Sequence, residues 1–297
     1  MSDISFDLSG KIDQQTVEAL AIMKRVALGL NIPFFLVGAS ARDFLLKHCY
    51  GIEPRRMTRD IDLGVHVDSW EHFNRLTQAL VATGKVSSTK QPQRFQFDSI
   101  LVDIIPFGPI ADKDRRVSWP PEHQIFMSLV GFEEAYEHSV TVRLSSTPEL
   151  DVKLASLPGL ALMKIISWNE RYPERRRDAE DLFLVMSKYE LAGGRERLYE
   201  EQPSLLKEEG FDTKRASIRL LGRDMAKISD SDTLRAVKAV IDRETGEQSH
   251  YRLVADIIAG LSVSDEKFED VLLDVETLKK GIAETPARSS GGGEWLP

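Results

Sequence analysis

Apolar residues recur along this chain with two periods. Between 13 and 30, Val17, Leu20, Met23, Val26 or Ala27, and Leu30 fall three or four positions apart, which predicts an amphipathic helix. Asn31 and Pro33 end it. Phe34-Phe-Leu-Val is an apolar run of strand length closed by Gly38, and a helix over about 40–48 follows with Ala41, Phe44 and Leu45 on one side. Residues 51–58 read as a loop. Over 61–67 the period changes to two, as in a half-buried strand. A helix is predicted for 70–83. Residues 94–97 and 100–105 form a hairpin turning near Asp98-Ser99, and 139–144 form another strand. Two helices, 157–170 and 178–186, flank an arginine-rich loop.

From about 189 onward the pattern is helical throughout. Four stripes stand out: Ala216, Leu220, Leu221, Met225, Ile228; Leu234, Val237, Val240, Ile241; Leu253, Ile257, Ile258, Leu261; and Val271, Leu272, Val275, Leu278. Four amphipathic helices of this length suggest a small bundle. The division this implies is a mixed domain over 1–188, a helical domain over 189–285 and a disordered tail over 286–297, where Ser, Gly and Pro dominate.

The chain has 297 residues, enough for two compact units with their own cores. No apolar run approaches the length of a membrane span. The N-terminus has no basic start followed by an apolar stretch, and the one cysteine, Cys49, cannot form an internal disulfide. Both point to a cytoplasmic protein with no membrane partner. The net charge of −8 argues against a grip on nucleic acid through the whole surface. A nucleic-acid partner would need a local basic patch. Arg55, Arg56 and Arg59 form one candidate, and Arg171, Arg175, Arg176 and Arg177 another; such runs are more often solvated faces.

Three pieces carry chemistry. At Gly38-Ala-Ser40 a strand ends and a helix starts at once. Free N–H groups there, with a hydroxyl beside them, can seat a phosphate, and Gly38 allows close approach. The plainer reading is a strand–turn–helix with Ser40 as a cap. Asp60 and Asp62 lie two apart on a strand, so their carboxylates share a face and repel unless a cation sits between them. Mg²⁺ suits such oxygen ligands; exposed acids at a strand end are the ordinary alternative. Asp103 sits inside the apolar run Ile100-Leu-Val-Asp-Ile-Ile, where a carboxylate needs a cation, either a metal or an arginine. Together the three acids make a ligand set for two ions about 4 Å apart.

In order and combination, Gly38-Ala-Ser40, Asp60-x-Asp62 and Asp103 resemble the nucleotidyltransferase pattern of the DNA polymerase β superfamily. Gly38-x-x-x-Arg42-Asp43-x-Leu45-Leu46 resembles the corresponding turn of CCA-adding enzymes and poly(A) polymerases. Leu160-Ala-Leu-Met-Lys164 and Arg177-Asp178-x-x-Asp181-Leu182 are similar to two later motifs of the AbiEii/AbiGii toxin-type nucleotidyltransferases. The likeness spans roughly residues 30–190. It departs from the pattern at Ala39 and in the long interval from Ser40 to Asp60.

The resemblance implies an α+β fold, with a mixed sheet flanked by helices ahead of the helical bundle. It also implies transfer of a nucleoside monophosphate from a nucleoside triphosphate to an acceptor hydroxyl, with two Mg²⁺ ions. Asp60, Asp62 and Asp103 would hold metal. Gly38, Ser40 and Arg42 would bind the nucleotide, as would Lys164 and Asp178, with Lys164 neutralising phosphate charge and Asp181 acting behind them. For Lys164 the plain alternative is a surface lysine, and for Asp178 a helix N-cap. RNA such as a tRNA end, a protein hydroxyl or a small molecule such as an antibiotic would be the acceptor, with RNA or another macromolecule favoured, and an antitoxin protein a partner. The alternatives are a catalytically inactive relative that binds nucleotide or a partner, and a helical interaction protein whose acids are incidental. His48, His66, His72 and His123 show no metal-binding spacing.

Overall fold

The computed structural model describes residues 4–54, 58–121, 123, 126–246, 248–261 and 267–288. They divide into two compact units, residues 1–160 and 161–297. The boundary expected at 188/189 falls inside the second unit, at the end of the helix Arg176–Lys188. Among the described residues no helix is long and apolar enough to cross a membrane.

The first unit is built on a mixed sheet of eight strands. In chain order these are β1 (Phe6–Asp7), β2 (Phe34–Val37), β3 (Ile61–His66), β4 (Val86–Ser88), β5 (Arg94–Phe97), β6 (Ile100–Phe107), then β9 (Val140–Ser146) and β10 (Glu149–Leu154). A separate hairpin pairs β7 (Arg116–Ser118) with β8 (Phe126–Ser128). The sheet order is β1-β9-β10-β2-β3-β6-β5-β4. At its centre β3 runs antiparallel to β2 and parallel to β6, while β5 returns antiparallel on β6.

The helices form where the apolar spacing requires them. α1 (Gln14–Gly29) buries Ala19, Leu20, Met23 and Ala27, and Asp13 caps it by accepting from the Thr16 N–H. α3 (Trp70–Ala82) buries Phe73, Leu76 and Leu80 and is capped by Ser69. α2 (Gly38–Asp43) begins at once after β2 and continues in wider π-type turns through Phe44–Cys49. The expected helix over 40–48 therefore starts two residues earlier, at the glycine itself.

Alternation along β3 sorts the sheet's faces. Ile61, Leu63 and Val65 point one way and are at most 3 % exposed. Asp62, Gly64 and His66 point the other way. On that second face Phe35 of β2 fills the space that Gly64 leaves; a Cβ at Gly64 would lie 2.5 Å from the Phe35 ring. Phe35 also meets Phe107, Phe132 and Tyr136 edge-on. The last two come from α4 (Phe132–Glu137), which the apolar pattern did not reveal. Aromatic pairs of this kind add about 0.5–1.5 kcal/mol each beyond their burial. One face of β3 thus carries an aromatic cluster at its C-terminal end and carboxylates at its N-terminal end.

The second unit is helical from α5 (Leu157–Glu170), which starts in the first, through α6 (Arg176–Lys188), α7 (Arg195–Glu200), α8 (Pro203–Glu208), α9 (Thr213–Ile228), α10 (Ser231–Thr245), α11 (Arg252–Gly260) and α12 (Phe268–Glu284). The four predicted stripes lie on α9 to α12. α9 and α12 cross closely because Gly222 and Gly281 face one another's backbones: a Cβ at Gly281 would lie 2.0 Å from the Arg219 carbonyl oxygen. Arg219 then ties the helices electrostatically, donating to Glu208 and Glu209 at 2.7 and 2.6 Å and to Glu284. Of the expected tail, Arg288 donates its N–H to the Ser229 carbonyl at 2.9 Å; residues 289–297 lie outside the described residues.

Candidate active site

The sheet brings the predicted acids together through register. Asp62 of β3 stands directly opposite Asp103 of β6 in the parallel pair. Opposite Asp103 on its other side stands Arg94 of β5. The Arg94 guanidinium forks the Asp103 carboxylate, with Nε to Oδ1 and Nη2 to Oδ2 both at 2.7 Å. Its Nη2 is also 3.5 Å from Asp60 Oδ2, at the entry to β3. The hydrogen bonds it donates to Asp103, and then the charges of Asp103, Asp60 and Asp62, hold this guanidinium well above its ordinary pKa. One cation therefore feels all three carboxylates. Of the two cations considered for Asp103, the arginine is the one that the structure displays.

Asp62 is placed by the turn after β2. Gly38 has φ +63°, and a Cβ there would lie 2.3 Å from Asp62 Oδ2. The space that a glycine opens at this turn is taken by a carboxylate, where the sequence suggested room for a phosphate. The Ser40 hydroxyl, 4 % exposed, donates to the Val37 carbonyl at 3.0 Å and accepts the Asp62 N–H at 3.2 Å. It is a cross-link between turn and strand rather than an open phosphate ligand. The buried Arg42 donates through Nε to Asp43 at 2.9 Å, and the other Asp43 oxygen accepts the Thr58 N–H at 2.8 Å. That carboxylate pins the loop entering β3, and Thr58 Oγ1 in turn accepts from the Asp60 N–H at 3.3 Å. Arg42, expected at the nucleotide, is thus buried in the frame behind the acids.

Lys164, Asp178 and Asp181 form a cluster within the second unit. The Lys164 ammonium is 2.6 Å from Asp178 Oδ1 and 2.6 Å from Asp181 Oδ2. Burial pulls its pKa down, and the two carboxylates more than reverse this, holding it above the ordinary lysine value. Neither plain alternative survives. Lys164 is not a surface lysine, and Asp178 is not the cap of α6: Arg175 occupies that position.

Other candidates separate from these clusters. Arg55 and Arg56 lie outside the described residues. Arg175 and Arg176 are exposed but lean on Asp178 and Asp256, at 4.0 and 3.6 Å. Burial pushes the Cys49 thiol up to about 12, which leaves it no thiolate at neutral pH.

The donor set can be tested against divalent metal ions. Three carboxylates converging on one positive group have the hard-oxygen chemistry such ions require. Among the described residues, however, no three acidic, histidine or cysteine side chains stand close enough together to ligate one ion as placed. The residues fit by chemistry and by register, with Arg94 positioned where the carboxylates meet.

The residue that pattern reading missed is Arg94. Its signal was the hairpin itself: a turn at Asp98-Ser99 sets position 94 opposite position 103 by counting.

Against this geometry stand the likenesses. Residues 21–258 match the family described as nucleotidyl transferase AbiEii toxin, Type IV TA system. Among solved structures, ANT(2″)-Ia in complex with adenylyl-2″-tobramycin is 15% identical, with 69% of this chain and 97% of that chain covered and a TM-score of 0.35. The Thermotoga maritima CCA-adding enzyme complexed with tRNA is 13% identical, with 93% and 82% covered and a TM-score of 0.26. No protein with a curated description matches the sequence.

Proposed function

The chain belongs to the AbiEii nucleotidyl transferase toxin family and is a nucleotidyltransferase; from that premise we propose that it transfers a nucleoside monophosphate from a nucleoside triphosphate to an acceptor hydroxyl in a metal-dependent reaction. The observation that supports this reading is that Asp62, set against the turn at Gly38, pairs in register with Asp103 while one arginine, Arg94, reaches both Asp103 and Asp60. Divalent ions, when bound, would activate the acceptor hydroxyl and neutralise charge on the triphosphate.

The chain's own residues divide the remaining work. Asp60 and Asp62 would hold metal, and Asp103 would complete the site on the acceptor side and take the proton of the acceptor hydroxyl. Gly38 lets Asp62 sit against the turn, and Ser40 fixes its backbone. Arg42, Asp43 and Thr58 brace the approach to Asp60. We assign Lys164, kept charged by Asp178 and Asp181, to the phosphates, where charge accumulates during transfer. RNA, such as a tRNA end, or a protein hydroxyl is the acceptor we favour, and the family's toxin–antitoxin description supports an antitoxin as a partner.

The second reading, an inactive relative that binds nucleotide or a partner, draws on one observation: Arg94 already satisfies Asp103. The test that separates them incubates the protein with each labelled nucleoside triphosphate, Mg²⁺ and total cellular RNA or lysate. Labelled acceptor with release of pyrophosphate, lost in Asp60→Ala and Asp62→Ala, supports transfer. Labelling that survives both substitutions ends the assignment of these acids, and Mg²⁺-dependent nucleotide binding without pyrophosphate release favours the inactive relative.

A further inference from the structure

Arg94 is the group in this site whose purpose the transfer reaction does not explain. It engages both oxygens of Asp103 at 2.7 Å and reaches Asp60 at 3.5 Å. A bidentate pair of this geometry fixes the carboxylate plane as well as its position. Three carboxylates on adjoining strand positions would otherwise repel one another. Arg94 among them offsets that repulsion, and its fork fixes the Asp103 carboxylate.

The same guanidinium is a liability once a divalent ion arrives. Each carboxylate oxygen has lone pairs for more than one partner, so Asp103 can serve Arg94 and an ion together, but the two cations then lie within a few ångströms and repel. Asp60 is held by the longer contact at 3.5 Å, so it is the partner given up at least cost. The arginine's place on β5, covalently next to the turn that leads into β6, keeps it beside Asp103 whether or not Asp60 is released.

We propose that Arg94 is a positioning residue that serves as the site's resident counter-cation: it holds Asp60 and Asp103 together in the metal-free protein and yields Asp60 to the metal ion, so that it stabilises the empty site and weakens metal affinity. This rests on the transfer reading, because it takes Asp60, Asp62 and Asp103 as the metal ligands. It predicts opposite effects of one substitution on two quantities, which a merely structural arginine would not produce.

The experiment uses the full chain and Mn²⁺ alone, without nucleotide. Mn²⁺ affinity is measured by electron paramagnetic resonance of the free ion and by calorimetry, and thermal unfolding is followed in EDTA and in Mn²⁺. Arg94→Gln removes the charge and keeps much of the stem. In that variant the melting temperature in EDTA should fall, while Mn²⁺ should bind at least about tenfold more tightly, as expected from removing one like charge a few ångströms from the ion. Arg94→Lys, which keeps the charge and loses the fork, should keep the weak affinity of the parent and still melt lower in EDTA. Asp62→Asn should lose Mn²⁺ binding in either background.

Equal or weaker Mn²⁺ binding by Arg94→Gln, with binding still dependent on Asp62, overturns the counter-cation role and leaves the transfer reading standing. Absence of Mn²⁺ binding in the parent and all variants, together with absence of nucleotide turnover, overturns both. Should Arg94→Gln fail to fold, Arg94→Lys carries the test: an affinity tightened to the same tenfold degree despite the retained charge would refute repulsion as the cause.

Discussion

Replacing Gly38 by alanine tests the placement of Asp62 with a single methyl group. Two costs arise. The first is conformational, because φ is +63° and a Cβ in left-handed backbone costs about 1–2 kcal/mol. The second is steric: the new Cβ would lie 2.3 Å from Asp62 Oδ2 and 2.9 Å from its Cγ. Relaxed contacts between such atoms need roughly 3.5 Å, so the carboxylate must retreat by about 1 Å. The Asp62 backbone cannot follow, since β2 and β6 hold it on both sides and Ser40 accepts its N–H. The side chain must swing instead, which moves its oxygens relative to Asp103. A displacement of about 1 Å in a positioned group costs on the order of 10²-fold in rate. Gly84→Ala provides the control, because Gly84 has φ +72° and nothing within 4 Å of its added Cβ. Both variants should lose about 2–8 °C in the melting temperature of the first unit, from strain alone at about 2–4 °C per kcal/mol. Only Gly38→Ala should lose turnover, by about 100-fold in kcat for pyrophosphate release at a temperature where both are folded. If its kcat stays within about threefold of the control, the carboxylate is not needed where the turn holds it, and the reasoning fails.

Three further outcomes follow from the same packing. Ser40→Ala removes the bond to the Val37 carbonyl and the one from the Asp62 N–H, about 0.5–1.5 kcal/mol each, and an unchanged denaturation midpoint would contradict the cross-link. Burial, reinforced by Glu137 and Glu134, pushes the Glu133 carboxyl up to about 7 from 4.5. The folded state therefore binds this proton more tightly than the unfolded one, and the stability it contributes below pH 4.5 is lost as pH rises through about 7. Burial lowers the pKa of the neighbouring His66, which works in the opposite sense, and that burial persists in the variant, so Glu133→Gln should gain more in melting temperature over the parent at pH 8 than at pH 5. Gly281→Ala drives a methyl into the Arg219 carbonyl and should part α9 from α12 at a cost of about 1–3 kcal/mol, read as faster hydrogen exchange confined to those helices.

How far a sequence speaks for such a site depends on whether the deciding force is local. Strand β2 and helix α3 were legible because apolar spacing acts within a few residues. The place of Asp62 on β3 was legible for the same reason, through the two-residue repeat of a strand, whereas Asp60 stands just ahead of that strand, which begins at Ile61. The role of Ser40 was not. A serine just after a strand-ending glycine satisfies equally a phosphate seat and a strap to a neighbouring strand, and only its burial and the partner at Asp62, 22 residues on, distinguish them. α4 escaped notice because six residues are too few to show a helical period, although Phe132 and Tyr136 complete the aromatic cluster on the sheet. Arg94 stands between these cases. Its contact with Asp103 crosses two strands, yet the hairpin turn determines it by counting from Phe97 opposite Ile100 to Arg94 opposite Asp103. Reading Asp103 only in series with Asp60 and Asp62 concealed this, because order along the chain names the ligands while register across the sheet names their competitor. A carboxylate inside an apolar strand therefore calls for two questions: which acids precede it in sequence, and which residue the nearest turn sets opposite it. Here the second answer is a cation: Arg94 forks Asp103 and reaches Asp60, so any ion proposed for these acids would share them with a charge already present.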